Sequence, residues 1–198
     1  MTEPVFTDNT RTGNKLRLFV AIACPQLDSV ALLLKELWHI ALDSGTKVRV
    51  VPESNLHITL KFLGPAPRSS IEQVIATLDQ LALDASPFNV TLAGGGIFHN
   101  ALWLGMAPCD PLMRLASDLN PGLALSGFKP ESRPFVPHLT LARLRQPAGT
   151  QMQTWISQRL QETLGSIRVQ EMHLYQSALE PAGARYSILH TATFNGLS

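Results

Sequence analysis

Two segments of this 198-residue chain carry the same short pattern, a histidine, an apolar residue, a threonine and a leucine: NLHITLKFLG at 55–64 and FVPHLTLARL at 135–144. Residues two apart on a strand point to the same face. His57 therefore shares a face with Thr59, and His138 with Thr140, while Ile58, Leu60, Leu139 and Leu141 turn the other way. An imidazole and a hydroxyl side by side on an apolar strand need a wet cleft or buried partners. Threonine fills 14 of 198 positions, so two such motifs among six histidines arise by chance at below ~1% before strand bias is counted. The histidines lie 81 residues apart, too far for a solenoid repeat. The spacing predicts two lobes, each supplying one strand to a shared cleft.

The flanking sequence predicts an α+β chain with sheets covered by helices. Leu16–Ala23 reads as a buried strand stopped by Pro25, and 26–43 as a helix with Leu27, Val30, Ala31, Leu34, Leu37, Trp38 and Ala41 on its apolar stripe. Gly45 ends that helix, 47–51 alternates as an edge strand would, and 56–63 forms a strand closed by Gly64-Pro65. A helix capped by Ser69 or Ser70 runs to Leu83, followed by a strand over 88–92, a break at Gly94-Gly95-Gly96 and a strand over 101–106. Pro111 opens a helix to about Leu125. The strand at His138 comes next, then a helix over 150–164 and strands over 167–179 and 185–194.

With 45% hydrophobic and 16% charged residues the chain can bury a core. Cys24 and Cys109 are too few for a disulfide framework and read as reduced thiols. Residues 1–14 are polar, lack an apolar stretch and read as a flexible tail, leaving 15–198 as one bilobal domain. No run approaches the ~18 apolar residues of a membrane helix. The expectation is a soluble, cytoplasmic monomer. Net charge is only +1, yet windows 43–68 and 129–145, each holding one motif, together carry a net +5. Lys47, Arg49, Lys61 and Arg68 lie in the first; Lys129, Arg133, Arg143 and Arg145 lie in the second. That bias favours an anionic ligand.

Two imidazoles across a cleft suit acid–base chemistry near neutral pH, one taking a proton from water and the other giving one to a leaving oxygen. Thr59 and Thr140 can donate to the nonbridging oxygens of a phosphate, and Arg143 or Arg145 can offset charge gathered in a pentavalent transition state. Neither motif strand sets an Asp, Glu or Cys beside its His, so no metal is expected. The glycine triplet lacks the Lys-Ser/Thr of a P-loop, so no nucleotide cofactor is expected either. Phe62 and Phe135 are candidates to stack a terminal base, against the commoner reading of both as core, with Phe19 and Tyr175 in the same category. His39, His99, His173 and His190 show no partner pattern.

The paired motifs resemble those of the two-histidine phosphoesterase superfamily. More closely, RLFVAIACP (17–25), NLHITLKFLG (55–64), LWLGM (102–106), RPFVPHLTLAR (133–143), LYQSAL (174–179) and RYSIL (185–189) resemble, in order, the RNA 2′,3′-cyclic phosphodiesterase family, also called LigT-like or 2′-5′ RNA ligases. The resemblance implies a bilobal fold with a pseudo-twofold axis, two antiparallel sheets flanked by helices and a central cleft. It also implies metal-independent hydrolysis of an RNA-terminal 2′,3′-cyclic phosphate to a 2′-phosphate. On that pattern His57 is the proton donor to O3′, His138 the proton acceptor that activates water, and Thr59, Thr140 and Arg143 hold the phosphate. Pseudo-symmetry leaves the two histidine roles exchangeable on sequence alone. The implied partner is RNA with a cyclic phosphate terminus, with tRNA fragments and cyclic nucleotides among the candidates. Alternatives are 2′-5′ phosphodiester cleavage or its reversal, and a non-catalytic module that grips RNA ends.

Overall fold

The computed structural model describes residues 15–180 and 183–195; the segment read as a tail, 1–14, lies outside them. Nine strands and four α-helices occur among the described residues. The chain order is β1 (Lys15–Ala23), α1 (Asp28–Asp43), β2 (Val48–Val50), β3 (His57–Pro67), α2 (Ile71–Leu83), β4 (Phe88–Phe98), β5 (Ala101–Met106), α3 (Asp110–Leu125), β6 (His138–Leu144), α4 (Thr150–Arg159), β7 (Thr163–Val169), β8 (Glu171–Glu180) and β9 (Gly183–Thr193). The main strand order is β7-β4-β5-β6-β3-β1-β8-β9, with β2 added to β6, and the pairings are antiparallel.

The two motif strands, β3 and β6, stand at the centre of this order and touch through a single Cα pair, Ile58 with Leu139. Both side chains are fully buried. On either side lie matching halves, β3-β1-β8-β9 and β6-β5-β4-β7. Helices α2 and α3 pack on one half, through β3, β8 and β9; α1 and α4 pack on the other, through β2, β4 and β7. The halves are therefore not successive stretches of chain. Helix α1 follows β1 yet covers the opposite half, and α3 follows β5 and does the same. This interlocking gives one hydrophobic core with Leu33, Leu37, Leu78, Leu104, Leu119 and Leu139 inside it.

Several elements differ from the sequence expectation. Strand β3 does not close at Gly64-Pro65; Gly64 takes a positive φ of 71°, pairs with Leu18 and lets the strand run on to Pro67. The glycine triplet lies within β4, where a register shift between Leu92 and Gly95 absorbs it. A Cβ at Gly95 would sit 2.7 Å from the Trp103 carbonyl oxygen, and one at Gly96 would sit 3.3 Å from the Trp103 ring. The glycines thus admit an indole instead of ending a strand. Helix α4 stops at Arg159, not Leu164, because the chain turns and Thr163 pairs with Ala93. The run 167–179 is two strands, since β7 pairs with β4 at one end of the sheet and β8 with β1 in the other half. Ser70 precedes α2, but its hydroxyl donates to the Pro67 carbonyl (2.7 Å) instead of capping the helix. Trp38, placed on the buried stripe of α1 by its spacing, is 50% exposed. Cys24 and Cys109 are free thiols, and burial pushes Cys24 up to about 11. No helix among the described residues is long and apolar enough to cross a membrane.

Lys61, counted above among bases facing an anion, points into the protein. It is 6% exposed, and its ammonium donates to Asn120 Oδ1 (2.7 Å) and the Lys129 carbonyl (3.1 Å). Asn120 Oδ1 also accepts from the Glu131 backbone N–H (3.2 Å). The lysine thereby pins the irregular connection from α3 to His138. Burial pulls its ammonium below the usual lysine range, and Glu131 partly opposes this. Lys61→Met keeps the stem but leaves both acceptors short of a donor, so it should cost about 1–3 kcal/mol in urea unfolding. An unchanged midpoint would show that the connection does not depend on this contact.

Candidate active site

The sheet holds the two motifs in the same attitude. In both β3 and β6 the histidine and threonine are half-exposed, and the residue between them is buried. Each histidine Nδ1–H donates to the backbone carbonyl two residues earlier: His57 to Asn55 (2.7 Å) and His138 to Val136 (2.8 Å). A carbonyl only accepts, so this contact fixes the proton of the neutral ring on Nδ1. Nε2 is left as the nitrogen that can take or give a proton.

Both motif strands also carry the same irregularity. Across β1, Ala21 faces Thr59 and Val20 faces Lys61, skipping Leu60; across β5, Trp103 faces Thr140 and Leu102 faces Ala142, skipping Leu141. The extra residue is a β-bulge, which resets the alternation. Leu60 and Lys61 are consequently both buried, as are Leu141 and Ala142. The residue five past each histidine, Phe62 or Arg143, returns to the histidine's side. Strict alternation would have put both on the far side.

These side chains border a cleft of about 980 Å³ whose lining includes His57, Thr59, Phe62, His138, Thr140 and Arg143. Phe62 is 67% exposed there, whereas Phe135 packs against the core and does not border the cleft. Arg143 borders it and Arg145 does not. Arg17, Arg49 and Arg185 add to the positive lining; Glu180 is the acid there and pairs with Arg185 (2.6 Å). Arg49 stands opposite Arg143 on β2, and a side chain at Gly183 would collide with its guanidinium. His39, His99, His173 and His190 lie away from the cleft; His173 bonds Thr191 (2.9 Å) and His190 bonds Asp79 (2.6 Å). Among the described residues no group of three or more His, Cys, Asp or Glu is arranged to hold a metal.

Aromatic rings back each imidazole. His57 lies against Phe19 (5.0 Å between centroids) and edge-on to Tyr186 (5.2 Å), and Tyr175 stacks on Phe19 (5.0 Å) while lying 6.2 Å from His57 itself. His138 stands edge-on to Phe98 (5.5 Å), which stacks on Trp103 (4.5 Å). Tyr186, Phe98 and Trp103 are not singled out by the sequence, because single aromatics on strands carry no spacing signal. Arg17, Trp103 and Tyr186 are visible there only as members of the segments RLFVAIACP, LWLGM and RYSIL. Burial lowers the His57 pKa below its usual value; the bond to Asn55 opposes this, and the charge of His138 adds to it.

Two tethered imidazoles, two hydroxyls and an arginine thus border one basic cleft. Residues 28–180 match the model of the 2′-5′ RNA ligase superfamily. A Methanothermobacter thermautotrophicus protein named RNA 2′,3′-cyclic phosphodiesterase is 32% identical over 150 residues, covering 73% of this chain and 81% of its own. A solved Thermus thermophilus protein superposes with a TM-score of 0.75 at 27% identity, over 92% of this chain and all of its own. E. coli LigT, solved with 3′-AMP, superposes at 0.70 and 28% identity, over 91% and 98%. The chain belongs to the 2′-5′ RNA ligase superfamily.

The lowered pKa has a consequence for stability. The unfolded chain takes up a proton at His57 near the ordinary value of 6.5, while the folded chain resists it. Stability from the neutral ring is thus present above that pH and is lost as pH falls below it. His173, also lowered by burial, adds in the same sense. Unfolding free energy should fall between pH 7 and 5, and His57→Ala should flatten the slope by at most one proton's share, about 1.4 kcal/mol per pH unit. Equal slopes in both proteins would show that His57 is not held neutral.

Proposed function

We propose that the chain hydrolyses the 2′,3′-cyclic phosphate at an RNA end to a 2′-phosphate by acid–base catalysis between His57 and His138, without a metal. The observation that carries this reading is the repeated Nδ1–carbonyl tether, which leaves Nε2 of each imidazole for proton transfer. The names of its relatives, cited above, supply the substrate class. His138 Nε2 takes a proton from water as the oxygen attacks phosphorus. His57 Nε2 gives a proton to O3′ as the P–O3′ bond breaks, leaving the phosphate on O2′. Thr59 and Thr140 donate to the nonbridging oxygens, Arg143 balances the added charge, and Phe62 offers a face to the terminal base.

His57 suits the donor role because burial makes its imidazolium a ready acid, and the anionic substrate favours the protonated ring once bound. The superfamily's name favours one second activity, 2′-5′ bond formation by reversal of the same steps. It would draw only on the ring strain of the cyclic phosphate.

The test is hydrolysis of a nucleoside 2′,3′-cyclic phosphate in EDTA. Turnover to the 2′-phosphate should persist, and His57→Ala and His138→Ala should each lose about 10²–10⁴ in kcat. Unchanged kcat in both variants, or loss of turnover in EDTA, would overturn the mechanism. An activated leaving group tests the roles. A p-nitrophenyl phosphodiester needs no proton on its departing oxygen, so on it His57→Ala should recover most of its lost rate while His138→Ala stays impaired. The reverse pattern would make His57 the acceptor.

A further inference from the structure

Beside the cleft, strands β2 and β6 continue past their last paired residues, because the Arg145 backbone N–H donates to the Lys47 carbonyl (2.8 Å). Residues alternate across this ribbon. Val48 and Leu144 form one pair, while Arg49 faces Arg143 and Lys47 neighbours Arg145. Two tiers of facing bases result, about 6.8 Å apart along the strand, on the order of one nucleotide step of an extended RNA. Like charges set opposite each other on a sheet destabilise it. Lys47 and Arg145 are both exposed, and neither forms an ion pair with a carboxylate among the described residues.

The outer tier borders a separate hollow of about 260 Å³, lined by Lys47, Arg145, Thr46 and the α1 residues Trp38, Ala41 and Leu42. Trp38 and Leu42, one helical turn apart, leave 50% and 60% of their surface exposed. Trp38 also borders the main cleft, so the hollow adjoins the cleft to which the proposed function assigns the cyclic end. An exposed aromatic beside unpaired cations, in line with a phosphate site, is the arrangement that binds single-stranded nucleic acid.

We propose that Lys47, Arg145 and Trp38 form a subsite for the RNA strand immediately upstream of the cyclic phosphate, with the two cations on the next phosphates and the indole under a base. This rests on the function proposed above and extends it: the enzyme is built for oligonucleotides and not for cyclic mononucleotides.

The experiment compares a nucleoside 2′,3′-cyclic phosphate with a trinucleotide ending in one, for the wild type, the double variant Lys47→Gln/Arg145→Gln, and Trp38→Ala. Wild-type kcat/KM should be at least tenfold greater on the trinucleotide. Each variant should lose roughly tenfold on the trinucleotide and stay within about twofold on the mononucleotide. The salt dependence of log kcat/KM on the trinucleotide should become shallower by about 1.4 in the double variant, ~0.7 for each lost phosphate contact. Equal wild-type kcat/KM on both substrates, or equal loss on both in the variants, overturns the subsite. A wild type inactive on both overturns the parent function, and binding then decides the subsite. Quenching of tryptophan fluorescence by a 3′-phosphorylated trinucleotide, abolished in Trp38→Ala, would uphold it; no binding of that RNA would overturn it.

Discussion

The site depends on one apolar contact, the pairing of Ile58 with Leu139 where the two central strands meet. Both side chains are fully buried, and each is flanked on its own strand by a histidine and a threonine that face the cleft. Burial of that pair fixes which side of the sheet the polar residues occupy, since a slip of one residue would send imidazoles into the core and leucines to water. The relative position of the two histidines is thus set by hydrophobic packing behind them, with no polar contact required between them.

Around that seam the interlocked helices turn two similar halves into one core. A structure in which α1 covers the far half and α3 does likewise cannot open into independent lobes without exposing both. The bulges at Leu60 and Leu141 act at finer scale. They change the period of two strands at equivalent points, which lets one position on each strand bury Lys61 or Ala142 while the next reaches the cleft. Lys61 then uses its inward direction to hold the connection that leads to the second histidine.

Much of this was legible in the residues. The motif pair marks the residues that border the cleft, because His, Thr and alternating leucines state a face directly. The helices α1, α2 and α3 follow from their apolar spacing. What stayed hidden depends on contacts distant in sequence. Gly94-Gly95-Gly96 looks like a break until Trp103 occupies the space it leaves. Leu164 looks helical until β4 offers Thr163 a strand partner. Trp38 fits the apolar stripe of α1, yet it lies at the edge of the sheet beside the short strand β2, where little covers it. Phe62 and Phe135 both lie near their motifs, but the bulge at Leu60 turns Phe62 to the cleft, whereas Phe135 precedes β6 and packs against the core.

The tethers repeat so closely that hydrogen bonding alone gives the histidine pair no front or back. Each imidazole hangs from a carbonyl two residues upstream, and each is braced by aromatic rings. A site of this kind is a palindrome. A guest entering one way or the other would meet two imidazoles tethered alike. Direction must therefore be written where the halves disagree, and the bulge brings one such disagreement into the cleft: an aromatic ring at position 62 and a guanidinium at position 143. One end of the palindrome offers an aromatic face and the other a positive charge, so direction is written in what surrounds the pair and not in how the pair is tethered.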